Sequence, residues 1–248
     1  MSKIWSDQAI VLRTFNVGES DRFCILLTEN YGRVAARGSG VRRMKSRRAA
    51  GLMPLHRIHL TCELRSAGLT ISAVTCLDNY SNSWRDPETF FCAEHGIETV
   101  LKLTEEGTPL PEIYALTNIF LRACKKPDSR ITVTLFQLKL LSILGSLPSA
   151  THSAVSHLPF KPGEPIVLSR FGGLSLKAEE KSGMRVSPEL SSIIAGVGEM
   201  DLLNPPVMPK PILKELERFV QGLLGSQLGV ELKSPRVGLA MSELVRPI

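Results

Sequence analysis

The chain has 248 residues, 43% of them apolar, with a net charge of +6. That is apolar material for a sizeable core in two domains and argues against low-complexity disorder. No apolar run approaches the roughly 18 residues of a spanning helix and residues 1–8 lack a signal-peptide core, so a cytoplasmic protein without membrane attachment is expected. Neither a disulfide framework nor a thiolate zinc site is indicated by the five cysteines, Cys24, Cys62, Cys76, Cys92 and Cys124, which form no C-x-x-C pair and are expected to be buried thiols.

Five strand-like runs come first: Ala9–Phe15, Arg22–Thr28, Arg33–Arg37, Leu55–Leu64 and Leu69–Leu77. Gly18-Glu19-Ser20-Asp21, Asn30-Tyr31-Gly32 and Ser66-Ala67-Gly68 supply the tight connections, because Gly and Asn tolerate the positive φ that hairpin turns require. Only the link between the third and fourth runs is long. Five antiparallel strands with one insertion after the third predict an OB-type barrel, a closed sheet that exposes one face and its loops to single strands.

After Leu77 the apolar period changes from 2 to 3.6. Asp86-Pro87 is a cap followed by proline at the first helical position, and Phe90, Ala93, Ile97, Val100 and Leu101 then share a face until Gly107 and Pro109. A second helix runs from Pro111 toward Pro127 with Ile113, Leu116, Phe120 and Ala123 inward. A third, capped by Ser129, carries Leu135, Leu138, Leu141 and Leu144 to Gly145, and the three make a bundle. Residues 146–165, with Pro148, Pro159, Pro162 and Pro165, read as an excursion, followed by a hairpin of Ile166–Ser169 and Leu174–Lys177 turning at Gly172-Gly173. Ser187-Pro188 begins a short helix and Pro211 a longer one to Leu228, whose stripe of Leu213, Leu216, Val220, Leu223 and Leu224 should pack back on the bundle. The expectation is therefore an α+β chain: a barrel over residues 1–80, then a mainly helical domain over 81–248 in which 146–185 is a Pro-rich, hairpin-bearing excursion.

Residues 1–80 hold twelve Lys and Arg against six Asp and Glu, whereas the remainder balances eighteen against eighteen. Arg33, Arg37, Arg42, Arg43, Lys45, Arg47, Arg48 and Arg57 lie in one stretch with no acidic residue between Glu29 and Glu63. A field concentrated in this way attracts a polyanion, and on the insertion and strands of such a barrel the polyanion is nucleic acid. The stretch from Arg33 to Arg57 has no aromatic residue, so phosphate contact is expected to dominate stacking. Neutralising about six phosphates implies a log–log salt slope near −4 for a single strand or −5 for duplex. Tyr31, Phe15 and Phe23 could stack one or two bases, but Phe15 and Phe23 read first as barrel core.

Catalytic patterns fail. Gly40–Ser46 lacks the glycines of a P-loop at Ser39 and Met44. His56 and His59 alternate across a strand and cannot share an ion with Cys62. No nucleophile–base set or carboxylate pair can be assembled, so no enzyme is expected. The bare residues allow three binding classes: a DNA-binding module, an OB-fold RNA- or ribosome-associated module using the same arginines on A-form backbone, or a protein-docking unit whose basic stretch receives an acidic tail.

The order of residues also resembles the RecO family of bacterial recombination mediators and DNA-repair proteins. Ala9-Ile10-Val11-Leu12-Arg13, Gly18-Glu19-Ser20-Asp21 and Leu26-Leu27-Thr28 with Gly32 are similar to that family's opening strands and turns. Gly38–Arg47 and Gly51-Leu52-Met53-Pro54-Leu55 are similar to its basic insertion and fourth strand, Phe136–Leu141 with Gly145 and Pro148 to its central helix, and Leu232-Lys233-Ser234 to its closing segment. The resemblance implies single- and double-stranded DNA binding, strand annealing, help to RecA in replacing single-stranded-DNA-binding protein, and RecR as a partner. It implies that the acidic tail of single-stranded-DNA-binding protein is received by the helical domain, where Arg122, Lys125 and Lys126 lie on a suitable helix. Many members carry a four-cysteine zinc module after the central helix. Here Leu176 and Glu179 stand near where a C-x-x-C is expected and Phe160 near an earlier pair, so no metal or cofactor is expected and packing alone must hold residues 146–185.

Overall fold

The computed structural model describes residues 4–43, 46, 48–80, 87–125 and 129–229. Asp86, Lys45, Arg47, Lys126, Pro127 and Leu232-Lys233-Ser234 lie outside the described residues, as does the side chain of Ser129. The chain divides into two compact units, residues 1–127 and 128–248, so the first two helices, α1 (Pro87–Leu103) and α2 (Pro111–Ala123), group with the barrel.

In the first unit β1 (Ile4–Val17), β2 (Asp21–Thr28), β3 (Gly32–Gly38), β4 (His56–Arg65) and β5 (Gly68–Asn79) close a barrel in the order β1-β2-β3-β5-β4. The all-antiparallel expectation is corrected at one seam, since β3 and β5 meet in parallel at Arg37 and Thr70. Closure requires it: directions cannot alternate around a ring with an odd number of strands. β1 is longer than its apolar run because Ile4 and Trp5 pair with Glu63 and Cys62 of β4, while Val17 pairs with Asp21 of β2.

The barrel interior holds Ala9, Val11, Cys24, Leu26, Ala36, Ile58, Leu60, Cys62 and Ile71. Burial pushes the thiols of Cys24 and Cys62 up to about 12. Cys76 corrects the expectation of five buried thiols, for it is exposed on β5. Phe15 and Phe23 are corrected as well: they are 48% and 37% exposed. Cys24 and Leu26 take the inner face of β2, and strand alternation turns Phe23 and Ile25 outward.

Helix α1 (Pro87–Leu103) buries Ala93, Ile97 and Val100, and α2 (Pro111–Ala123) buries Ile113, Leu116, Phe120 and Ala123. α2 packs against β1 and β2. In the second unit α3 (Ser129–Ile143) packs against α5 (Lys210–Leu228), where the Arg130–Glu217 ion pair spans 2.8 Å and the expected stripe buries Leu216, Val220, Leu223 and Leu224. α4 (Pro188–Gly196) starts at Ser187, whose hydroxyl accepts from the Leu190 amide and donates to Glu215 of α5. The expected hairpin is β6 (Ile166–Leu168) with β7 (Leu174–Leu176). A third strand unforeseen in the sequence, β8 (Met184–Val186), pairs with the other side of β6. Three residues are too few to show a period.

Candidate nucleic-acid interface

The exterior of β2 and β3 is arranged in cross-strand rows. Phe15 pairs with Phe23 and Phe23 with Arg37; Arg13 pairs with Ile25 and Ile25 with Ala35. Residues two apart share a face, so Phe23, Ile25, Arg33, Ala35 and Arg37 point outward together. They line a groove of about 940 Å³ with Trp5, Val17, Tyr31 and Val34, the β4–β5 hairpin residues Leu64 and Leu69, and Glu106, Gly107 and Pro109 from the α1–α2 connection.

Its aromatic end is built by hydrogen bonds. The buried carboxylate of Asp7 accepts from the Asn30 amide at 2.9 Å and from Asn30 Nδ2 at 2.9 Å, fixing the β2–β3 turn. The Tyr31 amide donates to Thr28 Oγ1 at 3.0 Å, and the Tyr31 ring stacks on Trp5 with centroids 4.2 Å apart. Gly32 lets the α1–α2 connection approach: it has φ +69°, and a Cβ there would stand 2.0 Å from the Thr108 carbonyl oxygen. Gly107 then donates its amide to the Arg33 carbonyl at 2.8 Å.

At the other end of β3 the basic loop is braced by the β1–β2 turn. Asp21 accepts from the Gly40 amide at 2.8 Å, from Ser20 Oγ at 2.9 Å and from Arg37 Nε at 2.7 Å. These contacts, the Gly40 amide foremost, hold its carboxyl down at about 2. The Arg42 amide donates to the Ser20 carbonyl at 2.8 Å and its guanidinium to the Gly18 carbonyl at 2.8 Å. Arg48 donates to the carbonyls of Ser39 and Ile71 at 2.9 and 3.0 Å. Arg22, not singled out from the sequence, donates to the Leu52 carbonyl at 2.7 Å and ties the far end of the insertion to β2.

The expected cations thus divide. Arg43 is exposed and its side chain forms no hydrogen bond or ion pair among the described residues. Arg42 is exposed and keeps donors beyond the one bonded to Gly18; Arg48 is a half-buried strut. Arg37, its side chain 48% exposed, pairs with Asp21 at the groove, and Arg33 lines the groove half-buried. Arg57 stands apart from them, bound to Asp78 at 2.6 Å and to Gln8 Oε1 at 3.0 Å. At the end of α2, Arg122 is exposed and Lys125 Nζ lies 5.1 Å from the Tyr80 ring centroid. Trp5, Leu64, Leu69 and Asp21 are the participants that sequence reading missed. Trp5 has the parity of the inward Ala9 and packs at the end of the barrel core, and Asp21 stands between Ser20 and Arg22 in a turn, so neither carried a local signal of a surface role.

The residues of the excursion do not fit a thiolate zinc site. Glu179, at one of the compared positions, accepts from Ser153 Oγ and from the Leu176 amide at 3.1 Å, and these bonds hold its carboxyl below the ordinary carboxylate range. Ser153 Oγ in turn accepts from the Val155 amide at 3.2 Å. Glu179 thus ties loop to hairpin by hydrogen bonds, and among the described residues no group of three His, Cys, Asp or Glu side chains could hold a metal ion. Nor is any helix among them long and apolar enough to cross a membrane.

Comparison with known proteins adds the lineage. Residues 1–80 match the family model described as recombination protein O N terminal, and residues 85–236 the one described as recombination protein O C terminal. The chain is 27% identical over 237 residues to the DNA repair protein RecO of Myxococcus xanthus, covering 93% of this chain and 95% of that protein. It is 32% identical over 157 residues to the DNA repair protein RecO of Pelobacter propionicus, covering 62% of this chain and 63% of that one. The match to the RecO of Desulfitobacterium hafniense, 28% identical, spans 151 residues and 55% of that protein. With both family models matched in order along a barrel followed by helices, the chain belongs to the RecO family of DNA repair proteins.

Proposed function

We propose that the chain binds single- and double-stranded DNA, anneals complementary single strands and assists RecA loading onto protein-coated single-stranded DNA, with no catalytic step of its own. In this reading residues 1–80 are the nucleic-acid-binding domain and residues 81–248 the helical domain. The observation that carries it is a braced cationic loop running into an aromatic-lined groove on one barrel exterior. Arg42, Arg43, Lys45 and Arg47 take phosphates, Arg37 and Arg33 take phosphates at the groove, Arg48 mainly holds the loop, and Arg57 contributes least because Asp78 neutralises it. Unpaired bases lie against Trp5, Phe23 and Tyr31.

Annealing follows from these roles. Two strands repel through their phosphates, and arginines that screen the repulsion leave base edges free to pair. The partners in this reading are RecR and, on Arg122, Lys125 and Lys126, the acidic tail of single-stranded-DNA-binding protein. A cytoplasmic, nucleoid-associated location follows from the ligand. The triple variant Arg43→Ala, Lys45→Ala, Arg47→Ala touches none of the described struts. It is expected to weaken single- and double-stranded DNA binding alike at moderate salt, with an unchanged melting temperature, and to slow annealing of complementary oligonucleotides. Undiminished affinity and annealing in that variant reject the reading.

A further inference from the structure

The second unit carries a surface that the barrel reading does not use. The β6–β7 hairpin ends in Ser169-Arg170-Phe171-Gly172-Gly173, and Phe171 at its tip is 73% exposed, against 48% for Phe15 and 37% for Phe23. The exposure is imposed by a rigid turn. The Gly172 amide donates to the Ser169 carbonyl at 3.0 Å, the Ser169 amide to the Gly173 carbonyl at 2.8 Å, and the Phe171 amide to Ser169 Oγ at 3.0 Å. Gly172 sits at φ +83°, and a Cβ on Gly173 would stand 2.6 Å from that of Ala154, so the turn admits little else. The Glu179 bonds to Ser153 and Leu176 fasten the hairpin to the preceding loop.

Arg170 is exposed, and its guanidinium carbon lies 4.9 Å from the Phe171 ring centroid. One flank of the ring is engaged by a cation and the rest is open to solvent. Residues 146–186 carry five Lys and Arg against three Glu, so an anionic ligand is favoured over a cationic or neutral apolar surface. Every base offers a π face, and an aromatic ring beside a guanidinium provides stacking together with donors for the adjoining phosphate. Because the turn is already fixed, little conformational freedom is lost on binding. Within a duplex the base faces are stacked on one another, so such a tip selects unpaired bases.

We propose that the Arg170–Phe171 tip is a second single-stranded nucleic-acid contact, with Phe171 stacking on an unpaired base and Arg170 taking the neighbouring phosphate. The proposal rests on the reading that the chain binds DNA. Its test uses the full chain with Phe171→Ala, Phe171→Leu and Phe171→Trp, a fluorescein-labelled oligothymidylate, the matched duplex, and an oligonucleotide carrying 2-aminopurine. Phe171→Ala and Phe171→Leu are expected to weaken single-strand binding by about five- to thirty-fold, to leave duplex binding within about two-fold, and to lose part of the 2-aminopurine quenching. Phe171→Trp should retain affinity. Single-strand affinity unchanged in Phe171→Ala, or fully kept in Phe171→Leu, overturns the stacking role. The barrel triple variant separates the two readings: if it loses DNA while Phe171→Ala does not, only the tip assignment falls.

Discussion

Asp21 shows how one side chain connects sequence to surface. It takes the Gly40 amide, the Ser20 hydroxyl and the Arg37 guanidinium, so it sets the course of the basic loop while neutralising one of its cations. Its carboxyl lies at about 2, below the ordinary aspartate range. A depressed carboxylate stabilises the fold at pH above the unfolded value, and that contribution is lost as pH falls toward the folded one. Asp21→Asn should therefore be less stable than wild type at neutral pH, and urea midpoints measured downward from pH 5 should converge between about 4 and 2. A constant gap would contradict the assignment. Gly32→Ala should destabilise by roughly 1–3 kcal/mol in equilibrium unfolding, since it combines left-handed backbone with a clash on the Thr108 carbonyl. Phe15 and Phe23 mark where residue-level reading fails. Both faces of β2 are apolar, Phe23, Ile25 and Leu27 against Cys24 and Leu26, and alternation alone does not say which closes the barrel.

At the scale of elements, the barrel strands, the β6–β7 hairpin, the turns and the helices were legible because each is written in a local period or punctuated by Gly and Pro, whereas the three-residue β8 was not. The groove was not, because it gathers Trp5 from β1, Phe23 and Arg37 from β2 and β3, Leu64 from the β4–β5 hairpin and Glu106 from beyond α1. It also changes the expected balance between phosphate contact and stacking. Trp5→Ala with Tyr31→Ala should lower single-strand affinity about equally at all salt concentrations, leaving the log–log slope unaltered, whereas the Arg43, Lys45 and Arg47 variant should flatten it by about two for a single strand. Binding isotherms over a salt series distinguish these effects. The excursion makes a separate prediction: with Glu179 bonded to Ser153 and Leu176 in place of a thiolate site, EDTA should leave the melting curve unmoved and Glu179→Ala should increase proteolytic cutting within residues 149–180. A chelator-sensitive melt would contradict the hydrogen-bonded account.

Over the whole molecule the charge asymmetry was the most informative feature of the sequence, and the fold gives it a location: residues 1–80 carry the entire cationic excess. The Arg37–Asp21 and Arg57–Asp78 pairs reduce it, yet Arg42 and Arg43 remain exposed beside the groove. The account therefore has an electrostatic part that salt removes and a stacking part that it does not. The most direct test is the salt dependence of binding of the intact chain to a single-stranded oligonucleotide and to its duplex. The account predicts a single-strand slope near −4 with measurable single-strand binding surviving at high salt after duplex binding has vanished. A slope near zero, or single strand and duplex lost together along the same line, would contradict it.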